Sequence, residues 1–438
     1  MFRRLLPLAA LLLSTGPAVA QSVTLAEAVQ PGDVFQYDLT LAVKGQMKVD
    51  RNGKTDAVPV AATASHSFAE RVEGLTASGA AGKVVRLYAA ATSAGDTGLD
   101  RTVRTLSPER RLVVAQRTEG GTLHYSPDGP LRRDELELVA EHFDTLAVTA
   151  LLPPGPVAVG ATWPVPADAA QALLHFEGVV KAGLVGTLTA ATDATATFTV
   201  AGAAEGLEGG ALAKVRVTAT ATFDRKANRL VGLEWKQTDE RAQGPASPAA
   251  DVTATVTLKR TPLAAEPKAL AEGRAKVPAD DKPTPVMTAL RYADDKGRYS
   301  FVYDRAWHVV GRTDSHLVLR LLDKGEFVAQ ATVTAWKKAA PGGHVSADEF
   351  KAVLGQLPGW EPAGTTADGL VPTDAGRWLY RVGMQGKQDG LAVAQTFYAL
   401  AGPNGDQVLV TVLARPEAAG KVGVRDVALV NAIEFAAK

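Results

Sequence analysis

The sequence predicts an α+β protein in two parts. An N-terminal curved antiparallel β-sheet carries one covering helix, and a C-terminal antiparallel sheet is flanked by helices. Three observations carry this. Apolar and polar residues alternate over long runs before residue 260. Residues 134–152 instead repeat their apolar positions at steps of three and four. A proline cluster (Pro262, Pro267, Pro278, Pro283, Pro285) then separates these runs from a second pattern that mixes strands and helices.

Taken in order, residues 1–20 read as a cleavable export signal. Arg3 and Arg4 give a short positive start, Leu5 to Leu13 is an apolar run, and Ala18 and Ala20 are small residues just ahead of Gln21. The apolar run is about half of the roughly 20 residues that a spanning helix needs. The expected location is therefore periplasmic or extracellular, with no transmembrane anchor.

Residues 21–260 are expected to form the β-rich domain. Phe35, Tyr37, Leu39, Leu41 and Val43 alternate with mostly polar neighbours. Val215, Val217, Ala219, Ala221 and Phe223 do the same against Lys214, Arg216, Thr218, Thr220 and Thr222, and Val252, Ala254, Val256 and Leu258 against threonines. Successive side chains of a strand point to opposite faces, so each run has one dry and one wet face. Short turns between such runs favour an antiparallel meander. The covering helix at 134–152 would present Leu136, Val139, Phe143, Leu146 and Ala150 as one stripe, and Pro153 and Pro154 would stop it. Residues 261–290, rich in Pro, Ala, Lys and Glu, read as an interdomain linker.

From 291 to 438 the pattern is α+β. Tyr299, Phe301 and Tyr303 share one strand face, as do Leu317, Leu319 and Leu321. Ser346 and Glu349 make a capping box that opens a helix to about Leu357. Pro403, Asn404 and Gly405 suit a hairpin turn, and Val427, Val430 and Ile433 a closing helix.

The run from Tyr299 to Trp307 (Tyr-Ser-Phe-Val-Tyr-Asp-Arg-Ala-Trp) resembles the opening aromatic strand and Tyr-Pro-x-x-Trp bend of the PsbP-like fold, with Asp304 where Pro is common. The closing Asn431, Ala432, Ile433, Glu434 and Phe435 are similar too. The resemblance implies an antiparallel sheet flanked by helices over about a third of the chain. It implies no activity, and none of that family's metal-contacting residues maps onto this sequence. The N-terminal part resembles lipoprotein-carrier folds only in its pattern of elements.

Charge and composition exclude several classes. Lys plus Arg equals Asp plus Glu, at 47 each. A chain without net positive charge or a basic run lacks the counterion-releasing surface that nucleic acids require. There is no cysteine, so disulfides, thiolate metal sites, cysteine nucleophiles and lipoprotein acylation are all excluded.

No Gly-x-Ser-x-Gly, His-Glu-x-x-His or Walker motif occurs. The seven histidines (His66, His124, His142, His175, His308, His316, His344) stand singly. His308 and His316 could meet across a hairpin. Asp134, Glu137, Glu141 and Asp144 would share a helical stripe, either as a cation or acid/base site or as a solvated face. The segments starting at Asp50 and Asp294 look like calcium loops but lack the later acidic ligands, so they read as hairpin turns. Trp163 and Trp307 read as core anchors rather than ligand platforms.

No catalytic, cofactor or metal residue is therefore assigned. The expectation is an exported, soluble, non-enzymatic binding or accessory protein of the bacterial envelope, with an envelope protein or an apolar small molecule as partner. The alternatives are a carrier of an apolar ligand on the concave sheet face and a hydrolase whose residues are distant in sequence. The oligomeric state is left open.

Overall fold

A computed structural model describes residues 22–51, 54–98, 101–119, 121–140, 143–244, 248–278, 282–323, 326–373 and 377–436. The expected signal at 1–20 lies outside these, as do Glu141 and His142. The chain is β-rich, 56% strand and 15% helix, and its sheets are open and almost wholly antiparallel.

The strands of the first half are β1 (Val34–Arg51), β2 (Lys54–Leu75), β3 (Ala81–Asp96), β4 (Arg101–Thr105), β5 (Leu112–Thr118), β6 (Gly121–Tyr125), β7 (Leu131–Arg132), β8 (Thr162–Pro164), β9 (Gly178–Ala191), β10 (Thr195–Glu208), β11 (Ala211–Asp224), β12 (Arg229–Arg241) and β13 (Ala249–Pro262). All but β7 join one twelve-stranded sheet in the order β6-β5-β3-β2-β1-β13-β12-β11-β10-β9-β8, with β4 beside β3. The alternation in the sequence sets the faces: β11 buries every other residue from Ala211 to Phe223 while its threonines face outward.

The second half contributes β14 (Leu290–Ala293), β15 (Tyr299–Tyr303), β16 (Trp307–Arg312), β17 (His316–Asp323), β18 (Glu326–Ala335), β19 (Trp360–Leu370), β20 (Trp378–Gln388), β21 (Leu391–Ala401), β22 (Gln407–Ala414) and β23 (Glu434–Phe435). Strands β16 to β22 form a seven-stranded sheet in the order β16-β17-β18-β22-β21-β20-β19. A small sheet, β23-β15-β14-β7, joins the halves, because β7 pairs in parallel with β14. The helices are α1 (Arg133–Ala140), α2 (Ala167–Leu173), α3 (Lys268–Arg274), α4 (Pro285–Thr288), α5 (Ala347–Leu354), α6 (Ala419–Val422) and α7 (Arg425–Asn431).

The expected covering helix at 134–152 is not continuous. It is α1, then a 3-10 segment Thr145–Leu151. The break has a local cause. Asp144 takes extended backbone angles, and its side chain accepts the Leu146 N–H at 2.9 Å, so the chain restarts there. The apolar stripe nevertheless faces inward: Leu136, Val139, Phe143 and Leu146 are all buried.

Of residues 261–290, expected as a linker, the described part carries α3 and α4, and α3 packs on the first sheet. Leu270 is fully buried among Val34, Ala69, Val85, Leu112, Val114 and Tyr125. One apolar cluster includes Trp235 of the first sheet, Leu290 of the joining sheet and Leu319 of the second.

Candidate functional site

The carrier alternative places an apolar ligand on the inner face of the large sheet. Cross-strand partners place Tyr37, Phe68 and Tyr88 side by side there. Leu258, Leu233 and Ala221 continue that surface across the next strands. The chain's own residues fill it. Phe143 meets Trp235 edge-on, with ring centres 5.7 Å apart. Trp163 lies over Gly186, where a Cβ would come within 2.3 Å of the indole, and its Nε1 donates to the Leu151 carbonyl at 2.9 Å. Only glycine leaves room for that ring.

Charged groups are set into the same face. Glu70 and Arg86 are opposite one another on β2 and β3, paired at 2.8 Å with both side chains almost fully buried. Arg86 also donates to Thr145 Oγ1 at 2.7 Å and lies over the Phe68 ring. Burial alone would lower the Arg86 pKa, but Glu70 beside it raises it on balance. On the far side of β1, Arg260 pairs with the buried Glu27 and stacks 3.6 Å above Phe35. Asp144 accepts Thr122 Oγ1 at 2.8 Å and pairs with Arg117 at 3.0 Å.

Two histidines are enclosed here as neutral rings. Burial, helped by the Arg86 charge, lowers His124 to about 3, and burial lowers His175 as well. The Nδ1 of His124 and the Nε2 of His175 are buried without a hydrogen-bond partner among the described residues. His175 also holds a left-handed backbone angle, φ 56°, between α2 and β9.

A cavity of about 280 Å³ opens at the base of the sheet, where β1 begins and β13 ends. Asp33, Phe35, Arg71, Arg229 and Glu266 line it, together with the wall from Pro262 to Ala265. Arg229 pairs with Asp33 at 3.0 Å, and Arg71 reaches Glu73 at 2.6 Å and Glu266 at 3.4 Å. Residues from four distant stretches of sequence meet there. Single-sequence spacing could not reveal this, because the β1–β2, β1–β13 and β12–β13 pairings bring them together.

The candidates read from the sequence are dispersed. His308 stands opposite Arg320 and His316 opposite Thr334, so the two histidines lie at different ends of the β16–β17 hairpin. Asp134 pairs with Arg132 at 3.2 Å, Glu137 with Arg104 at 3.0 Å, and Asp144 turns inward, so no carboxylate stripe forms among the described members. Asp294 binds Arg298 and the Lys296 N–H in a turn with Gly297 at φ 65°. Asp50 lies in β1, and Asn52 and Gly53 lie outside the described residues. Among the described residues, no group of three or more His, Asp or Glu is placed to hold a metal ion.

No protein-family model and no curated protein matches the chain. Solved structures match in part. Cyanobacterial PsbP from Synechocystis is 12% identical, with a TM-score of 0.27, covering 34% of this chain and 92% of that one. A Bacteroides thetaiotaomicron protein is 9% identical, with a TM-score of 0.25, covering 34% and 48%. Lipovitellin is 7% identical, with a TM-score of 0.29, covering 55% of this chain and 26% of that one. Among the described residues, no helix is long and apolar enough to cross a membrane.

Proposed function

We propose that the chain is an exported, soluble, non-enzymatic binding or accessory protein of the bacterial envelope, needing no cofactor. Its layout is read as α+β, with a β-rich N-terminal domain and a PsbP-like domain from residue 291. The PsbP-like reading rests on the buried Tyr299, Phe301 and Tyr303 of β15, the bend to the buried Trp307, and the return of Glu434–Phe435 to pair with β15. The observation that carries the binding reading is the packed inner face of the large sheet. Phe143, Trp163 and Trp235 occupy the surface on which an apolar cargo would sit. The cavity at Arg71 and Arg229 is instead lined by charged side chains, each paired with a neighbour. This favours recognition of a polar ligand or a protein over transport of an apolar one.

Native mass spectrometry of the mature protein, purified from its own envelope, tests this. A bound polar molecule or a stoichiometric partner protein is expected, on a chain starting at Gln21. A bound lipid would favour the carrier, and turnover of an ester or peptide panel would favour the hydrolase. Intact Met1 on protein from the soluble cytoplasm would overturn export.

A further inference from the structure

We infer that the cavity at the base of the large sheet binds a small zwitterion, a molecule carrying an ammonium and a carboxylate such as a short peptide. This rests on the binding reading above and names the ligand class. Two guanidinium groups, Arg71 and Arg229, and two carboxylates, Asp33 and Glu266, line the space.

A plain anion would meet Asp33 and Glu266 as like charges, and a plain cation would meet the arginines. The four charges are already paired within the chain, Arg229 with Asp33 and Glu266 with both Arg71 and Arg274, and a neutral molecule would add only hydrogen bonds to them. A zwitterion answers both signs, its carboxylate taking a charge-assisted hydrogen bond from an arginine. Arg71 is open to such a contact. Its Nη1 is held by Glu73 and its Nε faces Glu266, which leaves Nη2 beside Gly32 at the cavity wall. The volume, about 280 Å³, lies just under the range of roughly 300–1,000 Å³ typical of ligand pockets, which sets the size at a few residues of peptide or less. The mostly exposed Pro262–Ala265 wall offers apolar contact for a small side chain.

The experiment is calorimetric titration of the mature full-length chain with dialanine, using propionate and ethylamine as single-charge controls. Dialanine should bind saturably at one site, with both controls at least tenfold weaker. Arg71→Gln and Asp33→Asn should each weaken dialanine at least tenfold, while Lys181→Gln, on exposed β9 surface, leaves it unchanged. Should Arg71→Gln unfold the chain, Glu266→Gln together with Asp33→Asn reads the ammonium side alone. Absence of saturable dialanine binding overturns the inference, as does propionate binding equally well or indifference to the cavity variants. If dialanine fails while native mass spectrometry finds another ligand or a partner, the inference falls and the binding reading stands. If dialanine binds and is cleaved to alanine, the site stands and the non-enzymatic reading falls.

Discussion

The two large sheets solve the same packing problem with different materials. The second sheet is closed by apolar and aromatic side chains. Leu317, Leu319, Leu321, Val410 and Tyr398 fill one face, and Phe350 of α5 packs with Phe397 and Trp360 on the other. Its ion pairs stay on the outside, as with Lys337 and Glu349. The first sheet draws charges into its interior: Glu70–Arg86 lies against Thr145 of the 3-10 segment, and Arg260 pairs with the buried Glu27 of the segment ahead of β1. Apolar packing needs only shape, whereas a buried ion pair also demands that both partners arrive. The first half is therefore the one whose interior should respond to charge and to pH.

The largest test of that contrast removes one partner of the inner pair. Glu70→Ala should cost about 3–5 kcal/mol in urea unfolding, because it strands a buried guanidinium. A cost below about 1 kcal/mol would mean that water reaches Arg86 and that the two interiors are alike.

Emptying aromatic sites should cost a similar amount in both halves. Phe143→Ala and Phe350→Ala are each expected to lose about 3–5 kcal/mol. A much smaller loss at Phe143 would mean that its segment packs loosely on Trp235 and that the inner face can open.

Acid loads both halves, the first more heavily. His124 is held at about 3, far below its ordinary 6.5. The unfolded chain takes up the proton first, so the stability from a neutral His124 is complete above pH 6.5 and is lost as pH falls toward 3, at up to about 1.4 kcal/mol per pH unit. His308, lowered to about 4 by burial and then by Arg133, acts in the same direction. His124→Leu should flatten the acid limb of a stability-against-pH curve. An unchanged limb would assign the acid sensitivity to other groups.

The smallest effect sits at the surface of the second half. Ser346 accepts the Glu349 N–H at 3.1 Å and caps α5, so Ser346→Ala should cost about 1 kcal/mol in thermal unfolding. No measurable loss would show that the packing of Phe350, rather than the cap, holds that helix in place.

Much of this architecture was legible in the sequence. The inward faces of β11 and β13, the aromatic face of β15 and the cap at Ser346 follow from period and local chemistry. At 134–152 the stripe is real, but Asp144 caps the Leu146 N–H and breaks the helix, and its further contacts with Arg117 and Thr122 come from distant sequence. The linker prolines hid a buried Leu270, since one apolar residue in a polar stretch has no period. The buried pairs and the cavity had no sequence signal, because each depends on strand register across tens or hundreds of residues.

One pairing has a consequence for how the chain reaches this state. β1 is flanked by β2 on one side and by β13 on the other, so Phe35 lies against Pro262. A hairpin of β1 and β2 can form early, but its second edge stays open until the chain from Leu75 to Pro262, the end of β13, has emerged. Contacts of such long range are slow to close, since loop entropy is lost before they repay it. During synthesis or threading the N-terminal half is thus a set of unfinished edges, open to chaperones and to mispairing. Completion of the first sheet waits for the strand that leads into the second.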